Sequence, residues 1–377
     1  MDSYLTAEIS VSAVRANLGL LRGRLAATTK LCAVVKADCY GHGLATLADV
    51  IGAEADALAV ATAEEAIPIR QGGYGGQVLM FFAPCAFSEA DRLAEALDEL
   101  VARQITLTLV APQEAAAVAE AARRVGTDAQ VHVMIDTGMG REGTPAELAP
   151  ALVHHVRRTP GLRLTGMYTH FATADEADKT FTRDQLARFL RAVDACGPRE
   201  GLTLHAASSA ALIDLRQTHL DMVRPGISIY GYQPSDQMHT RLPLKPAMRL
   251  LAPLMIVKDA PAGSRCGYGL THRFDRPSRV GVVPVGYGDG YPRRLSNQAV
   301  MRLGGREVPV RGRVSMDQTI VDLTGSPDAR VGDEVEVISN DPAAPNSVES
   351  LARLAGTIPY EITCGLGKRR VRRVLVD

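Results

Sequence analysis

The chain has 377 residues, which is long enough for one large domain or two ordinary ones around a substantial buried core. Lysine plus arginine and aspartate plus glutamate number 42 each, so the formal net charge is zero. This balance argues against nucleic acid or an anionic membrane as a partner. The six cysteines form no C-x-x-C pair, so we expect reduced thiols, a cytoplasmic location and no metal site. Neither a signal peptide nor a membrane span is predicted.

The first two thirds of the chain alternate between short apolar runs and helical patterns. Eight runs are predicted to be strands: Leu31–Ala37, Ala57–Ala61, Val78–Phe82, Ile105–Val110, Gln130–Asp136, Leu164–His170, Leu202–Ala207 and Met222–Gly226. Intervening stretches such as Gln113–Val125 and Ala146–Arg158 carry helical periodicity. Eight such units over roughly 200 residues are typical of a TIM (β/α)8 barrel. A doubly wound open sheet is the alternative, because strand number separates the two only weakly.

Beyond about Tyr232 the pattern changes to β-branched runs separated by Gly, Pro and Asp turns. The predicted strands here are Met248–Lys258, Arg279–Pro284, Ala299–Leu303, Glu307–Val310, Thr319–Leu323 and Glu334–Ser339, with one helix near Ser347–Ala355. The predicted fold is therefore α/β, with a barrel in residues 1–238 and a mostly β domain in residues 239–377. The polar, proline-containing stretch Gln233–Leu244 contains the boundary.

The segment Ala33–Gly43 places Lys36 at the end of an apolar run and four residues before the start of a Tyr-Gly-His-Gly sequence. Strand ends that meet a loop are where α/β folds place reactive groups. A partly desolvated lysine there can lose its proton and attack a carbonyl. Lysines also end strands simply to reach water, so the placement alone does not decide the matter. His42 is interpreted as a turn and packing residue.

Other polar residues fall at the predicted ends of later strands. They are Asp136 with Arg141, then His170, Ser208, Ser209, Arg224, Gly226 and Ile227. Barrels of this type usually bind phosphate in the loops after strands seven and eight, where the two serines and the Arg-Pro-Gly-Ile sequence lie. Two hydroxyls and free backbone N–H groups suit a phosphate dianion. A carbonyl-reactive lysine combined with a phosphate site indicates pyridoxal phosphate held as a Schiff base.

An ordered series of motifs runs almost from end to end of the chain. The motifs are Ala33–Gly43, Asp136–Arg141, Tyr168–Asp175, Val223–Ile227, Gly267–Gly269, Gly286–Gly290, Ser315–Gln318 and Ile358–Glu361. In this series the chain resembles the alanine racemases, which are fold-type III pyridoxal-phosphate enzymes. The resemblance implies a barrel followed by a β domain, which agrees with the division predicted above.

The resemblance also implies roles for individual residues. Lys36 would carry the cofactor and act as the base on one face of the substrate, while Tyr268 would act on the opposite face. Arg224 would donate to the pyridine nitrogen, with His205 supporting it, and His170 would contact the tyrosine. The residues implied at the phosphate are Tyr40, Ser208, Ser209, Gly226, Ile227 and Tyr360. Those implied around the substrate are Arg141 and Met316, with Tyr287 and Asp317 as supports and Arg293 and Arg313 in the access corridor.

The resemblance implies interconversion of L- and D-alanine, with D-alanine supplied for peptidoglycan. It further implies a head-to-tail homodimer whose active sites share residues, because the tyrosine comes from the partner subunit. A racemase of serine or of a broader set of amino acids is the alternative within this class. A fold-type III decarboxylase and a pyridoxal-phosphate carrier are less favoured, since the chain has Arg224, Tyr268 and a complete β domain.

Two positions, Met134 and Ser208, depart from the pattern of the family. Met134 stands where many relatives carry a lysine, often carbamylated, that positions the arginine corresponding to Arg141. Methionine has neither charge nor strong acceptor, so another group is needed or Arg141 is held more loosely. Ser208 stands where asparagine is usual, which predicts modestly weaker cofactor retention. The cluster Lys368, Arg369, Arg370, Arg372 and Arg373 is interpreted as a solvated strand face.

Overall fold

The structure is a computed structural model that describes residues 4–83, 90–366 and 371–377. Cys85 and residues 368–370 of the basic cluster lie outside the described residues. The strands are β1 (Leu5–Ser10), β2 (Lys30–Val34), β3 (Ala57–Val60), β4 (Gln77–Met80), β5 (Ile105–Leu109), β6 (Ala129–Asp136), β7 (Thr144–Pro145), β8 (Leu162–Tyr168), β9 (Thr203–Ser208), β10 (Met222–Arg224), β11 (Met248–Pro253), β12 (Ile256–Ala260), β13 (Arg265–Cys266), β14 (His272–Arg273), β15 (Ser278–Val283), β16 (Val300–Leu303), β17 (Arg306–Pro309), β18 (Thr319–Asp322), β19 (Glu334–Ile338) and β20 (Val371–Val376). The helices are α1 (Val11–Arg22), α2 (Lys36–Tyr40), α3 (Leu44–Glu54), α4 (Ala63–Gln71), α5 (Ala90–Ala102), α6 (Pro112–Val125), α7 (Ala149–Arg158), α8 (Thr180–Ala195), α9 (Ser209–Asp214), α10 (Val348–Ala355) and α11 (Pro359–Gly365).

Eight parallel strands form a closed barrel in the order β5-β4-β3-β2-β10-β9-β8-β6. The pairing of β5 with β6, in which Leu107 opposes Val131, closes the ring. This closure confirms the predicted barrel and excludes the open doubly wound sheet. The strands are almost wholly buried, as in β3 and β5, because their outer face is covered by helices and their inner face fills the barrel.

The first barrel strand ends earlier than predicted. β2 stops at Val34, whereas the apolar run suggested a strand as far as Ala37. From Ala37 to Tyr40 the backbone is left-handed, with φ between 51° and 55°. This conformation costs about 1–2 kcal/mol for each non-glycine residue. The apolar pattern could not reveal the change, because the bonds that enforce it come from distant parts of the chain.

The second part of the chain is mostly strand, as predicted. One sheet has the order β17-β16-β19-β11-β1-β20 and a smaller one has the order β12-β15-β18. β1 lies near the start of the chain, yet it pairs with β11 and runs parallel to β20. The domain boundary at residues 238 and 239 stays a prediction. The sheet of the second part includes β1, the strand next to its edge, from residues assigned to the first part.

The two described ends of the chain are tied together at the start of α1. Ser10 caps this helix by accepting a hydrogen bond from the Ala13 N–H at 3.0 Å. The Asp377 carboxylate accepts bonds from the Ser10 and Ser12 hydroxyls at 3.1 and 2.9 Å. β20 is therefore anchored at its end as well as along β1.

Three further observations concern cysteines, metals and membranes. Cys32, Cys39, Cys196, Cys266 and Cys364 are free thiols. Over the described ranges, no group of three His, Cys, Asp or Glu side chains is arranged to hold a metal ion. No helix within those same ranges is both long and apolar enough to cross a membrane.

Candidate active site

Lys36 lies at the rim of the barrel, two residues after the end of β2. Its amine stands 5.9 Å from the centre of the Phe81 ring. The pKa of this amine is lowered, chiefly because burial disfavours the charged form and secondarily because Arg141 is near. The carboxylate of Glu65 opposes this shift. A lysine in this position is a better nucleophile and base near neutral pH than a solvated one.

The left-handed turn after Lys36 is held by bonds to its backbone. The Ala37 N–H donates to Glu65 Oε1 at 2.5 Å, while Glu65 Oε2 accepts from the Ala61 N–H at 2.8 Å. His42 Nδ1 lies 3.0 Å from the carbonyl oxygens of Cys39 and Tyr40. Because carbonyls only accept, Nδ1 must carry the proton. His42 is buried and lies in the turn, as predicted, and it also fixes the backbone that carries Tyr40.

A small polar cradle lies beside this turn, where Tyr40, Ser209 and Gly226 converge. The Ser209 hydroxyl accepts a hydrogen bond from the Gly226 N–H at 2.9 Å. A Cβ added to Gly226 would clash with the Tyr40 hydroxyl, so only glycine permits this close approach. Ile227 follows directly in a buried helical turn, and Ser208 precedes α9. The Tyr360 ring, on α11, lies 5.9 Å from the Tyr40 ring.

Arg224 lies in the interior next to this cradle. Its side chain is buried and makes several hydrogen bonds. Its Nη1 donates to His205 Nδ1 at 2.7 Å. Its Nη2 donates to the Thr169 and Ala206 carbonyls at 2.9 and 3.2 Å. Burial lowers the pKa of Arg224 to about 10, so the guanidinium stays protonated at neutral pH. These three bonds use three of the five guanidinium N–H groups, so the Nε–H and one Nη1 N–H are left as donors.

The bond from Arg224 fixes the protons on a chain of two histidines. Arginine can only donate, so His205 Nδ1 accepts and its Nε2 carries a proton. That proton points to His132 Nδ1, 2.9 Å away. The Tyr168 ring stacks on His205 with centres 4.7 Å apart. Both His132 and Tyr168 lie on predicted barrel strands. Their contacts with His205 were not predicted, because the sequence does not show which side chain a buried polar residue contacts.

Several of these histidines are held neutral, which predicts a loss of stability in acid. Burial lowers the pKa of His42 to about 4 and that of His132 to about 3. In the unfolded chain the same groups titrate near 6.5, so the unfolded state binds more protons between about pH 3 and 6.5. The stability is therefore present above about pH 6.5 and is lost as pH falls. Each histidine should contribute about 1.4 kcal/mol per pH unit within that window.

Thermal unfolding of the apoprotein between pH 7 and 5 measures this slope. His132→Asn should reduce the slope of the free energy of unfolding against pH by about 1.4 kcal/mol per pH unit, which corresponds to one proton. This reduction is expected whatever the effect of the substitution on stability at pH 7. His154 is exposed on α7, so His154→Asn should retain the slope of the unmodified chain. An unchanged slope in the His132 variant would contradict the assignment of a neutral buried imidazole.

His170 stands between the two groups of candidate residues. Burial and the nearby Arg224, Arg141 and Lys36 cations lower its pKa to about 3. Its Nδ1 lies 3.5 Å from Arg224 Nη2, which is a weak contact. A neutral imidazole at this rim can accept or donate one hydrogen bond without adding charge.

The remaining predicted residues form a separate group, which we call the Tyr268 cluster: Tyr268, Tyr287 and Met316, which are exposed, and Arg313, which is half-buried. Tyr268 lies in the turn between β13 and β14 with 71% of its surface exposed. A Cβ on Gly267 would lie 3.0 Å from the Arg313 backbone nitrogen, so these two segments touch. Gly288 N–H donates to the Met316 carbonyl at 2.9 Å, which joins Tyr287 to Met316. Asp317 and Arg293 are also exposed.

Among the described residues, no hydrogen bond, ion pair or ring contact joins Lys36 to the Tyr268 cluster. The groups that shift the Lys36 pKa are Arg141, Glu65, Cys364 and Glu142. All of them belong to the barrel or to α11, and none to the Tyr268 cluster, as far as the described residues show. One chain thus assembles the lysine, the cradle and Arg224, and it presents Tyr268 outward.

Arg141 lies in a loop whose shape does not depend on its side chain. The Asp136 carboxylate accepts bonds from the Gly138 and Met139 N–H groups, both at 2.9 Å, which folds the loop. Among the described residues the Arg141 guanidinium makes no hydrogen bond or ion pair, and the residue is exposed. Met134 is buried on β6. The arrangement agrees with a loosely held Arg141.

The comparisons with known proteins agree with this fold. The closed barrel, the second sheet, and the lysine beside a glycine-lined cradle define a two-domain barrel enzyme. Residues 9–234 match the family description "Alanine racemase, N-terminal domain" and residues 247–375 match "Alanine racemase, C-terminal domain". The chain therefore belongs to the alanine racemase family, whose members are isomerases.

Individual relatives span the whole chain. Alanine racemase of Desulfovibrio desulfuricans is 39% identical over 381 residues, which cover 100% of this chain and 99% of that protein. The structure of alanine racemase from Clostridium difficile 630 has a TM-score of 0.91 and 34% identity, covering 100% of this chain and 96% of that chain. Alanine racemase from Streptomyces coelicolor A3(2) has a TM-score of 0.90 and 34% identity, with 99% and 98% covered.

Proposed function

We propose that this chain interconverts L- and D-alanine in the cytoplasm, with pyridoxal phosphate as cofactor and Lys36 and Tyr268 as opposed bases. We further propose that the D-alanine is used for peptidoglycan. The observation that carries the proposal is the convergence of a desolvated lysine with the Tyr40, Ser209 and Gly226 cradle at one barrel rim. Membership of the family supports the same activity.

The residues present fit the cofactor. Gly226 has no side chain, so its backbone and the Tyr40 and Ser209 hydroxyls can all approach one phosphate group. The Gly226 N–H now bonds to Ser209 and can turn to a phosphate oxygen at small cost. The Lys36 amine carries a lowered pKa. The Arg224 Nε–H and its second Nη1 N–H are the donors left for a ring nitrogen.

Pyridoxal phosphate, when bound, withdraws electrons from the α-carbon of an amino acid and so acidifies its C–H bond. The residues of the chain then move the proton. Lys36 Nζ takes or returns it on one face, and the Tyr268 hydroxyl does so on the other. Arg224 cannot readily give up its proton, so it donates to the ring nitrogen without protonating it. This limits charge delocalisation and disfavours side reactions such as transamination.

The exposure of Tyr268 supports a shared active site. Racemisation requires that a proton leave one face of the α-carbon and return to the opposite face. The Tyr268 cluster is presented outward, with 42% of Tyr287 and 48% of Met316 exposed. We propose that a second copy of the chain docks head to tail and brings its cluster over Lys36. Arg293 and Arg313 would then line the access corridor, and Met316 and Arg141 would bind the substrate carboxylate.

We propose that Tyr360 limits the substrate range by narrowing the space beside the substrate side chain. The Tyr360 ring stands 5.9 Å from that of Tyr40, and we propose that it leaves room for a methyl group but little more. Incubation with a panel of L-amino acids, followed by chiral chromatography, measures the range. Alanine should be converted fastest and serine more slowly. Faster conversion of serine would favour the broader-specificity racemase instead, and no conversion of any amino acid would overturn the proposal.

A further inference from the structure

Arg373 reaches from the last strand of the chain to the turn that follows Lys36. Its Nε and Nη2 donate to the Gly41 carbonyl at 3.1 and 3.0 Å. Its Nη2 also lies 2.7 Å from Asp38 Oδ2. The side chain is only 18% exposed. Sequence reasoning predicted a solvated face for Arg372 and Arg373; Arg372 is exposed as predicted, and the prediction is wrong for Arg373.

The turn needs such support because its backbone is unfavourable. Ala37, Asp38, Cys39 and Tyr40 are all left-handed, and none of them is glycine. Residues in this region persist only where surrounding contacts over-determine them. Glu65 holds the start of the turn through the Ala37 N–H. Arg373 holds its end through the Gly41 carbonyl.

Asp38 extends the contact to the next helix. Its Oδ1 accepts from the Leu44 N–H at 2.6 Å, at the first residue of α3. Its Oδ2 pairs with Arg373. A Cβ on Gly43 would clash with the Arg373 side chain, so the guanidinium stem packs directly on the backbone here. Arg373, Asp38 and Gly41 thus link β20, the turn and α3 in one cluster.

We propose that Arg373 is a positioning residue that fixes the turn carrying Lys36 and Tyr40 in the geometry that binds the cofactor. It acts through the backbone of the turn and touches neither cofactor nor substrate. Arginine suits the task because its planar fork directs two donors at one carbonyl while also pairing with a carboxylate. Lysine would retain the charge but lose the fork. The proposal rests on the proposed function, since Lys36 and Tyr40 are its cofactor ligands.

The test compares Arg373→Met with Arg372→Met, which removes an exposed arginine from the same strand. Titration of each apoprotein with pyridoxal phosphate should give a dissociation constant about tenfold weaker, or more, for the Arg373 variant. Arg372→Met should bind like the unmodified chain. Equal affinity in the two variants would overturn the proposal.

A second readout does not depend on the cofactor. Amide hydrogen exchange in the apoprotein should become faster across residues 37–44 in Arg373→Met and stay unchanged in Arg372→Met. Unchanged exchange in both would also overturn the proposal. If the unmodified chain binds no pyridoxal phosphate, the proposed function fails, and the exchange experiment still decides the role of Arg373.

Milder variants guard against misfolding. Asp38→Asn keeps an acceptor for the Leu44 N–H and removes the charge that pairs with Arg373. Arg373→Lys keeps the charge and loses the fork, so it should bind the cofactor with affinity between those of Arg373→Met and the unmodified chain. The double variant Arg373→Lys with Asp38→Asn should lose less cofactor-binding free energy than the sum of the losses in the two single variants, because both substitutions disrupt one cluster. Strict additivity would contradict the coupling.

Discussion

Lys36→Ala should abolish racemisation and covalent retention of the cofactor together. The lysine is the barrel-rim amine with a lowered pKa beside the cradle, and the proposed reaction uses it both as attachment point and as base. Losing both roles should reduce turnover by a factor of about 10⁴ or more. Borohydride treatment followed by mass spectrometry should find the reduced cofactor on the peptide containing Lys36 in the unmodified chain, and on no peptide in the variant.

Lys30→Ala is the matched control for this experiment. Lys30 is the exposed first residue of β2, the strand that leads to Lys36. This variant should retain both the modified peptide and the activity. If borohydride reduction of Lys36→Ala still gives a peptide with covalently bound cofactor, the reactive amine belongs to another residue. This result would contradict the assignment of Lys36 as the attachment point.

Tyr268→Phe should make exchange of the substrate α-proton one-sided. The change removes a hydroxyl from an exposed turn and leaves the barrel site intact. Loss of one of two bases should therefore spare proton exchange on the face served by Lys36. Exchange on the opposite face should fall by about 10²–10⁴-fold, which is the usual contribution of a general acid or base.

The measurement is exchange of the α-proton of L- and D-alanine into heavy water, each isomer followed separately by NMR. One isomer should keep exchanging while the other nearly stops, and racemisation should fall with the slower one. Tyr4→Phe, at another exposed tyrosine, should leave both exchange rates unchanged. Equal loss for the two isomers in Tyr268→Phe would contradict the two-base proposal.

Local patterns predicted most of the fold, because the barrel strands are continuous apolar runs that alternate with helices. All eight predicted barrel strands are present, and the second, mostly strand region is confirmed. β1 and β20 were missed. Each has six residues and is stabilised by pairing with a strand remote in sequence, which no local pattern reports.

The candidate site likewise contains residues that local patterns predict and contacts that they do not. Lys36, Ser209, Arg224 and Gly226 could be found from the sequence because parallel strands deliver their ends to one rim. Their roles remain predictions. The His132 bond to His205 and the Arg373 bond to Gly41 could not be found, since both depend on contacts between distant segments. Even Lys36 lies directly before a left-handed turn rather than on the strand the apolar run suggested.

The central claim, that Lys36 of one subunit works with Tyr268 of another, is tested most directly with hybrid dimers. Chains carrying Lys36→Ala and Tyr268→Phe are co-expressed with different affinity tags, and the dimer carrying both tags is isolated. A head-to-tail hybrid contains one site with both bases and one with neither, so it should show about half the activity of the unmodified dimer. Each single-variant dimer should be nearly inactive. A hybrid as inactive as both parents would contradict the shared site.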